Sequence, residues 1–236
     1  MLTLDKIYQA AFVLKDVIRK TDLIHAPGIN PESEIYLKTE NLQITGSFKV
    51  RGAYFKMSQL SEAEKEKGVI ACSAGNHAQG VALAAAKNGI PSLVCIPDGA
   101  PISKVEATKS YGAKVELVKG VYDDAYQRAC EIQEKSGATF IHPFNDEDVI
   151  AGQGTIGLEL LNQLPDVDAV IVPVGGGGLI SGVAFAIKAL KPSCKVYGVQ
   201  ASGAPSMYNS LEHRRCEQLE SVSTVADGIA VKAPGD

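Results

Sequence analysis

Between residues 69 and 141, short apolar runs alternate with segments of helical spacing, and this alternation restricts the fold more than any other feature of the chain. Val69-Ile70-Ala71-Cys72 reads as a strand, and residues 76–87 as an alanine-rich helix stopped by Gly89. Ser92-Leu93-Val94-Cys95-Ile96 is a strand closed by Pro97, and residues 102–111 are a helix followed by Gly112. The pattern repeats with Lys114-Val115-Glu116-Leu117-Val118, a helix over 122–135, and Thr139-Phe140-Ile141. Strands separated by helices pair through crossovers, so this stretch predicts a parallel α/β unit with right-handed connections.

The flanks carry the same grammar more loosely. Residues 4–20 place Ile7, Ala10, Ala11, Leu14, Val17 and Ile18 at helical spacing behind a candidate Thr3 N-cap. Residues 34–40 alternate as a strand, 53–60 read as a helix, and Ser61-Glu62-Ala63-Glu64 has the spacing of a capping box. Beyond the unit come a helix over 146–163, a buried strand over 169–174, a helix over 179–190, a strand over 195–199 and short helices near 205–211. No composition break or repeat marks a boundary, and 236 residues suffice for one large domain or two small ones.

A net charge of −4 without a basic run argues against nucleic acid and anionic membranes as partners. No apolar run has the length of a membrane span, and the first residues lack the pattern of a signal peptide. The five cysteines, Cys72, Cys95, Cys130, Cys194 and Cys216, are odd in number and scattered. They fit reduced thiols in a reducing, cytoplasmic compartment better than a disulfide or zinc framework.

Three stretches carry candidate chemistry. The first is Ser47-Phe48-Lys49-Val50-Arg51-Gly52, just ahead of the 53–60 helix. Most lysines are solvated, but apolar neighbours that desolvate Lys49 would free its amine to act as a nucleophile, in a Schiff base with a carbonyl, and as a base. The second is Ser73-Ala74-Gly75-Asn76-His77-Ala78-Gln79-Gly80, between a strand and a helix. There a helix N-terminus favours an anion such as a substrate carboxylate. A plain structural cap by Ser73 or Asn76 explains the same residues, and His77 serves equally as a packing group or a carboxylate ligand. The third, Gly175-Gly176-Gly177-Gly178, follows an apolar strand and opens a helix. It satisfies neither G-x-G-x-x-G nor G-x-x-x-x-G-K-[ST], which disfavours dinucleotides and nucleoside triphosphates and leaves a monophosphate. A lysine for a carbonyl and a cradle for a phosphate together suit pyridoxal 5′-phosphate. The chain has no H-E-x-x-H, no G-x-S-x-G and no paired-histidine metal spacing. Asp123-Asp124 and Asp146-Glu147-Asp148 fall where helices start and read as partners of the helix dipole.

With Ala226-Asp227-Gly228 near the end, these stretches resemble, in order and spacing along the whole chain, the fold-type II pyridoxal-phosphate enzymes of the threonine dehydratase and serine racemase family. The resemblance implies two open parallel-sheet domains: a small one at 69–145 inserted into a larger one at 1–68 and 146–236, with the cofactor between them. It implies Lys49 as the Schiff-base and proton-transfer residue, Phe48 against the cofactor ring and Asn76 on its 3′ oxygen. Gly175, Gly176, Gly177, Gly178 and the Leu179 N–H would hold the phosphate. Ser73, Ala74, Gly75, Asn76 and His77 would form the substrate-carboxylate loop. The implied reaction is α,β-elimination of L-threonine or L-serine to a 2-oxo acid and ammonia, in a cytoplasmic homo-oligomer, dimer or tetramer. Racemase-like relatives carry a serine where this chain has Ala74, and a residue without a proton cannot serve the second face of the substrate, which favours the dehydratase. The alternatives are a racemase-like enzyme and a cofactor-binding fragment without activity. Gln200 and Ser206 stand where racemase-like relatives place acidic metal ligands, so no metal is expected. Family members continue past residue 236, so the large domain is expected to be incomplete, without its partner for the pyridine nitrogen.

Overall fold

The computed structural model describes residues 1–235. In chain order the elements are α1 (Leu4–Leu14), β1 (Leu23–His25), β2 (Tyr36–Lys38), a 3₁₀ turn (Glu40–Leu42), α2 (Lys49–Ser58) and α3 (Glu62–Lys67). Next come β3 (Val69–Cys72), α4 (Asn76–Asn88), β4 (Ser92–Pro97), α5 (Ile102–Ser110), β5 (Lys114–Val118), α6 (Tyr122–Ser136) and β6 (Thr139–Phe140). The chain continues through α7 (Glu147–Gln163), β7 (Ala169–Pro173), α8 (Gly178–Leu190), β8 (Lys195–Val199), α9 (Ser206–His213) and a 3₁₀ turn (Asp227–Ile229).

The alternating stretch forms a parallel sheet in the order β5-β4-β3-β6. Both faces are covered. Val69 and Ala71 of β3 pack with Val81, Ala84 and Ala85 of α4, whereas Ile70 and Cys72 pack with Ala125 and Ala129 of α6. This is why β3 reads as an unbroken apolar run. The chain steps outward from β3 to β4 and β5, then returns to the other side of β3 as β6. The strand order therefore reverses between β3 and β6, and the crevice beyond their carboxyl ends is where open α/β sheets take ligands.

Outside this sheet, β7 and β8 pair in parallel around α8, and β1 and β2 pair antiparallel. α7 packs between α2 and α8, with Ile7 and Ala10 of α1, Phe55, Ala151 and Ala186 closing one core. Thr3 accepts from the Lys6 N–H and caps α1, and Ser61 and Glu64 form the capping box of α3. Asp146 caps α7 by accepting from the Asp148 and Val149 N–H groups, and Asp124 accepts from Val121 N–H at the start of α6.

Three readings change. The first helix ends at Leu14 instead of running to residue 20. Lys49 is the first residue of α2 and not a residue ahead of it. The strand Leu23–His25 was not expected: it spans three residues and is half exposed, too short for a periodic signal.

Candidate active site

The crevice at the β3–β6 switch point opens into a cleft of about 1250 Å³. Phe48, Lys49, the Ser73–His77 loop, Gly175–Leu179, Pro143 and the 227–231 segment all line it. All the residues singled out in the three stretches thus share one space, although more than a hundred residues of chain separate Lys49 from the glycine run.

Lys49 starts α2, where its N–H donates to the Ser47 hydroxyl at 3.2 Å. Its Nζ donates to the Pro143 carbonyl at 2.7 Å and lies 5.4 Å from the centroid of the Phe48 ring. The amine is desolvated and has no carboxylate partner among the described residues, and burial pulls its pKa from the usual 10.5 to about 8. α4 presses on the backbone behind it: a Cβ on Gly80 would come within 3.0 Å of the Lys49 carbonyl carbon and the Val50 nitrogen.

The glycine run is a cradle that side chains would fill. Gly177 has φ of +102°, the region that favours glycine. A Cβ on Gly176 would strike the Phe144 ring, and one on Gly178 would lie 2.8 Å from the Phe144 backbone. Gly177 caps α8 with no side-chain hydrogen bond, so the first N–H groups of the helix, Leu179 included, remain available to an anion.

α4 begins in the same way. Gly75 is its N-cap and no side chain caps it; Ser73 bonds instead to the Gly75 N–H at 3.2 Å. A simple cap by Ser73 or Asn76 is therefore not what is seen. The Asn76 side chain is exposed in the cleft. His77 is buried, and its Nε2 lies 2.8 Å from the Ile141 carbonyl oxygen. Burial and the nearby Lys49 charge lower its pKa to about 3, so the imidazole is neutral. A carbonyl accepts only from an N–H, so the proton sits on Nε2 and Nδ1 presents a lone pair. That buried Nδ1 has no partner among the described residues. The His77 side chain therefore cannot donate to a carboxylate, and only its backbone N–H remains for that task. Ala74 likewise offers backbone alone.

Two features escaped the sequence reading. Arg51 is fully buried two residues after Lys49. It bonds both Glu40 oxygens at 2.8 Å, Glu159 at 2.7 and 3.0 Å, and Thr155 at 3.1 Å. The second is an ion pair at the mouth, Lys104 to Asp227 at 2.8 Å. Nothing local in the sequence signals either, because the partners lie up to 123 residues apart. Gln200 and Ser206 bond to the backbone, Gln200 to Val174 O and Tyr208 N and Ser206 to Val231 O.

What such a crevice can hold follows from its two ends: an amine able to form a Schiff base, and uncapped N–H groups that donate to a phosphate. The class is that of α/β enzymes built around a phosphorylated aldehyde. The family model described as pyridoxal-phosphate dependent enzyme matches residues 14–236, and the chain belongs to that family. An L-threonine ammonia-lyase of Thermotoga maritima is 56% identical over the whole chain, which covers 59% of that protein. The catabolic L-threonine dehydratase of Escherichia coli is 52% identical over 87% of the chain and 62% of its own length. Among solved structures, maize serine racemase superposes with a TM-score of 0.96 at 38% identity, covering 100% of this chain and 72% of that one. Threonine deaminase isoform 2 from Solanum lycopersicum gives 0.93 at 42% identity, covering 98% and 66%. The chain thus spans about three-fifths of the length of the curated relatives it matches. No helix among the described residues is long and apolar enough to cross a membrane.

Proposed function

We propose that the protein is a threonine ammonia-lyase, converting L-threonine, and L-serine, to the 2-oxo acid and ammonia by α,β-elimination. The observation that carries this reading is the desolvated Lys49 amine in one cleft with the glycine cradle. The residues fit pyridoxal phosphate: Gly175–Gly178 and the Leu179 N–H would hold the phosphate, Phe48 would lie against the ring, Asn76 would bond its 3′ oxygen, and Lys49 would take the aldehyde. Bound there, the cofactor supplies an electron sink for the charge left at Cα. With its pKa near 8, the Lys49 amine is neutral often enough at physiological pH to accept the Cα proton. The uncapped N–H groups of Asn76 and His77, with the Ser73 hydroxyl that accepts from the Gly75 N–H, hold the substrate carboxylate and fix which bond faces Lys49. Ala74 has no proton to deliver to the opposite face, which supports elimination over racemisation.

In this reading residues 69–145 act as a small domain inserted between 1–68 and 146–236. The sheet register supports it: β6 returns beside β3, with Thr139 opposite Val69, so the segment leaves next to where it entered. The enzyme is taken as a cytoplasmic homo-oligomer, in keeping with five unpaired cysteines and the prevalence of symmetric assemblies.

The test is the absorbance of the chain with pyridoxal phosphate, before and after L-threonine, beside Lys49→Ala. A Lys49-dependent band near the visible–ultraviolet boundary, with 2-oxobutanoate released, is the expected result. A band without product removes the lyase assignment for this chain, and no Lys49-dependent band removes the role given to Lys49.

A further inference from the structure

The cleft contains one charged pair that the proposed reaction does not use. Lys104 projects from α5, on the four-stranded-sheet side, and its Nζ meets Asp227 Oδ2 at 2.8 Å across the mouth. Asp227 belongs to the turn that packs on the glycine run, where a Cβ on Gly175 would lie 3.3 Å from Ile229 Cα and 3.6 Å from the Gly228 carbonyl oxygen. The pair therefore joins the two walls of the cleft. Lys104 also faces the carboxylate loop: beyond Gly75 and its two chain neighbours, its Nζ is the nearest atom to the place where a Gly75 Cβ would stand, at 3.9 Å. Both residues are partly exposed, Lys104 at 37% and Asp227 at 79% of the side chain, so the pair contributes little to stability and either partner is free to move.

Charge at the loop makes the position informative. An amino-acid substrate enters as a zwitterion, and with its amine directed to the aldehyde the carboxylate would be the charge left for the loop to meet. The uncapped N-terminus of α4 offers it partial positive charge only. The cationic side chains lining the cleft are Lys49, Lys104 and Lys232, and Lys49 is committed to the reacting carbon. An ammonium has three N–H donors, and Asp227 engages one of them.

We infer that Lys104 is a second, charged ligand of the substrate carboxylate, held at the Gly75 loop by Asp227 and bridging the two carboxylates when substrate is bound. This rests on the loop being the carboxylate site, as proposed above. The bridge makes substrate binding tighten the contact across the mouth, and it makes the cleft select amino acids that keep a free carboxylate.

The test uses the cofactor-loaded chain and two ligands that cannot eliminate, L-2-aminobutanoate and its neutral counterpart L-2-aminobutanamide, titrated by the change in the absorbance band. The quantity read is the ratio of their dissociation constants. Lys104→Met is expected to cut the preference for the carboxylate about tenfold, as loss of a charged hydrogen bond does, and to leave amide binding unchanged. Lys104→Arg restores most of the preference. A Lys104→Met preference within about twofold of the parent overturns the inference, because a charged ligand cannot be removed at so small a cost. Asp227→Asn is expected to lose part of the preference and no more than Lys104→Met, since the amine is less well held but keeps its charge; a loss larger than that of Lys104→Met overturns the inference, since the turn and not the amine would then carry the effect. A parent chain that binds both ligands equally removes the loop as the carboxylate site, and the inference with it. A parent with a strong preference that Lys104→Met retains removes the inference alone.

Discussion

Lys49 offers a test of the site that needs neither substrate nor cofactor. In the apoprotein a desolvated ammonium bonded to the Pro143 carbonyl, with no carboxylate partner among the described residues, is a burden on the fold. Its pKa of about 8, against 10.5 for an ordinary lysine, corresponds to about 3 kcal/mol at about 1.4 kcal/mol per pH unit. The residue keeps some exposure to the cleft, which reduces the expected cost to about 2 kcal/mol. Lys49→Met retains the bulk and removes the charge, so the apo variant should be more stable than the parent by about that amount at pH 7. The sign of the pH dependence follows from linkage. Between the folded value near 8 and the unfolded value near 10.5 the unfolded chain holds the extra proton, so the parent gains stability as pH rises through that window. The advantage of Lys49→Met is therefore full below pH 8 and gone by about pH 10.5. Urea unfolding followed by circular dichroism at several pH values reads the difference directly, because the other lysines titrate alike in both proteins. A destabilised variant, or a gain that does not change with pH, would refute the claim that desolvation sets the pKa. With cofactor present the order reverses, since only the parent gains the stabilisation of a bound ligand.

Gly177→Ala puts a side chain at φ of +102° with Met207 Cε 2.9 Å away, and should lower stability by about 1–2 kcal/mol in urea and weaken binding of pyridoxal phosphate in a spectral titration. At Glu159 burial pushes the carboxyl pKa up, but bonds from Arg51 and Lys38 outweigh it and hold the group below its usual 4.5. Its contribution is present above pH 4.5 and lost as pH falls through the lowered value, so Glu159→Gln should be less stable at neutral pH and lose less on acidification, as measured by unfolding midpoints across that range. Gly152→Ala inserts a methyl 2.6 Å from Gly52 Cα; separating α2 from α7 should cost about 1–3 kcal/mol and lower cofactor affinity while far-ultraviolet dichroism stays unchanged. Ala74→Ser places a hydroxyl in the carboxylate loop and should produce D-serine from L-serine, detected by chiral chromatography; its absence would count against the reason given for preferring elimination.

The parallel sheet was legible because β3 and β4 are short apolar runs and β5 alternates, punctuated by Gly89, Pro97 and Gly112, and local punctuation sets where strands and helices end. Strand order was not, because Thr139–Phe140 is a two-residue strand whose partner is chosen by packing on β3. The glycine run and the lysine segment were legible as chemistry, yet their meeting in one cleft rested on resemblance. Contacts such as Lys49 to Pro143, or Lys104 to Asp227, join residues 94 and 123 positions apart and leave no trace in spacing. His77 shows the opposite limit. Its position was plain, but its tautomer depends on one carbonyl, Ile141 O, that only the folded chain brings to it.

The distance between the two ends of the site is set by backbone, not by side-chain rotamers. α2 begins at Lys49 and α8 at Gly178, and α7 lies between them. On one side a Cβ on Gly52 would sit 2.6 Å from the Val149 carbonyl oxygen, and one on Gly152 would sit 2.6 Å from Gly52 Cα. On the other, a Cβ on Gly182 would strike the Ile150 carbonyl, and one on Gly154 would sit 3.0 Å from Gly182 O. Three helices held backbone to backbone have few alternative arrangements, because interiors packed this tightly transmit a shift instead of absorbing it. Arg51 adds a tie from the first turn of α2 to Glu159 on α7 and Glu40 beside β2. Replacing such a buried network by apolar residues is often neutral for stability, whereas its fixed bonds specify one register of α2 against α7. A register shift of one residue would move the Lys49 amine by about 1.5 Å along the helix axis. That is more than a proton transfer at a fixed carbon tolerates, so the glycines and Arg51 are better understood as setting where Lys49 stands than as adding to the stability of the fold.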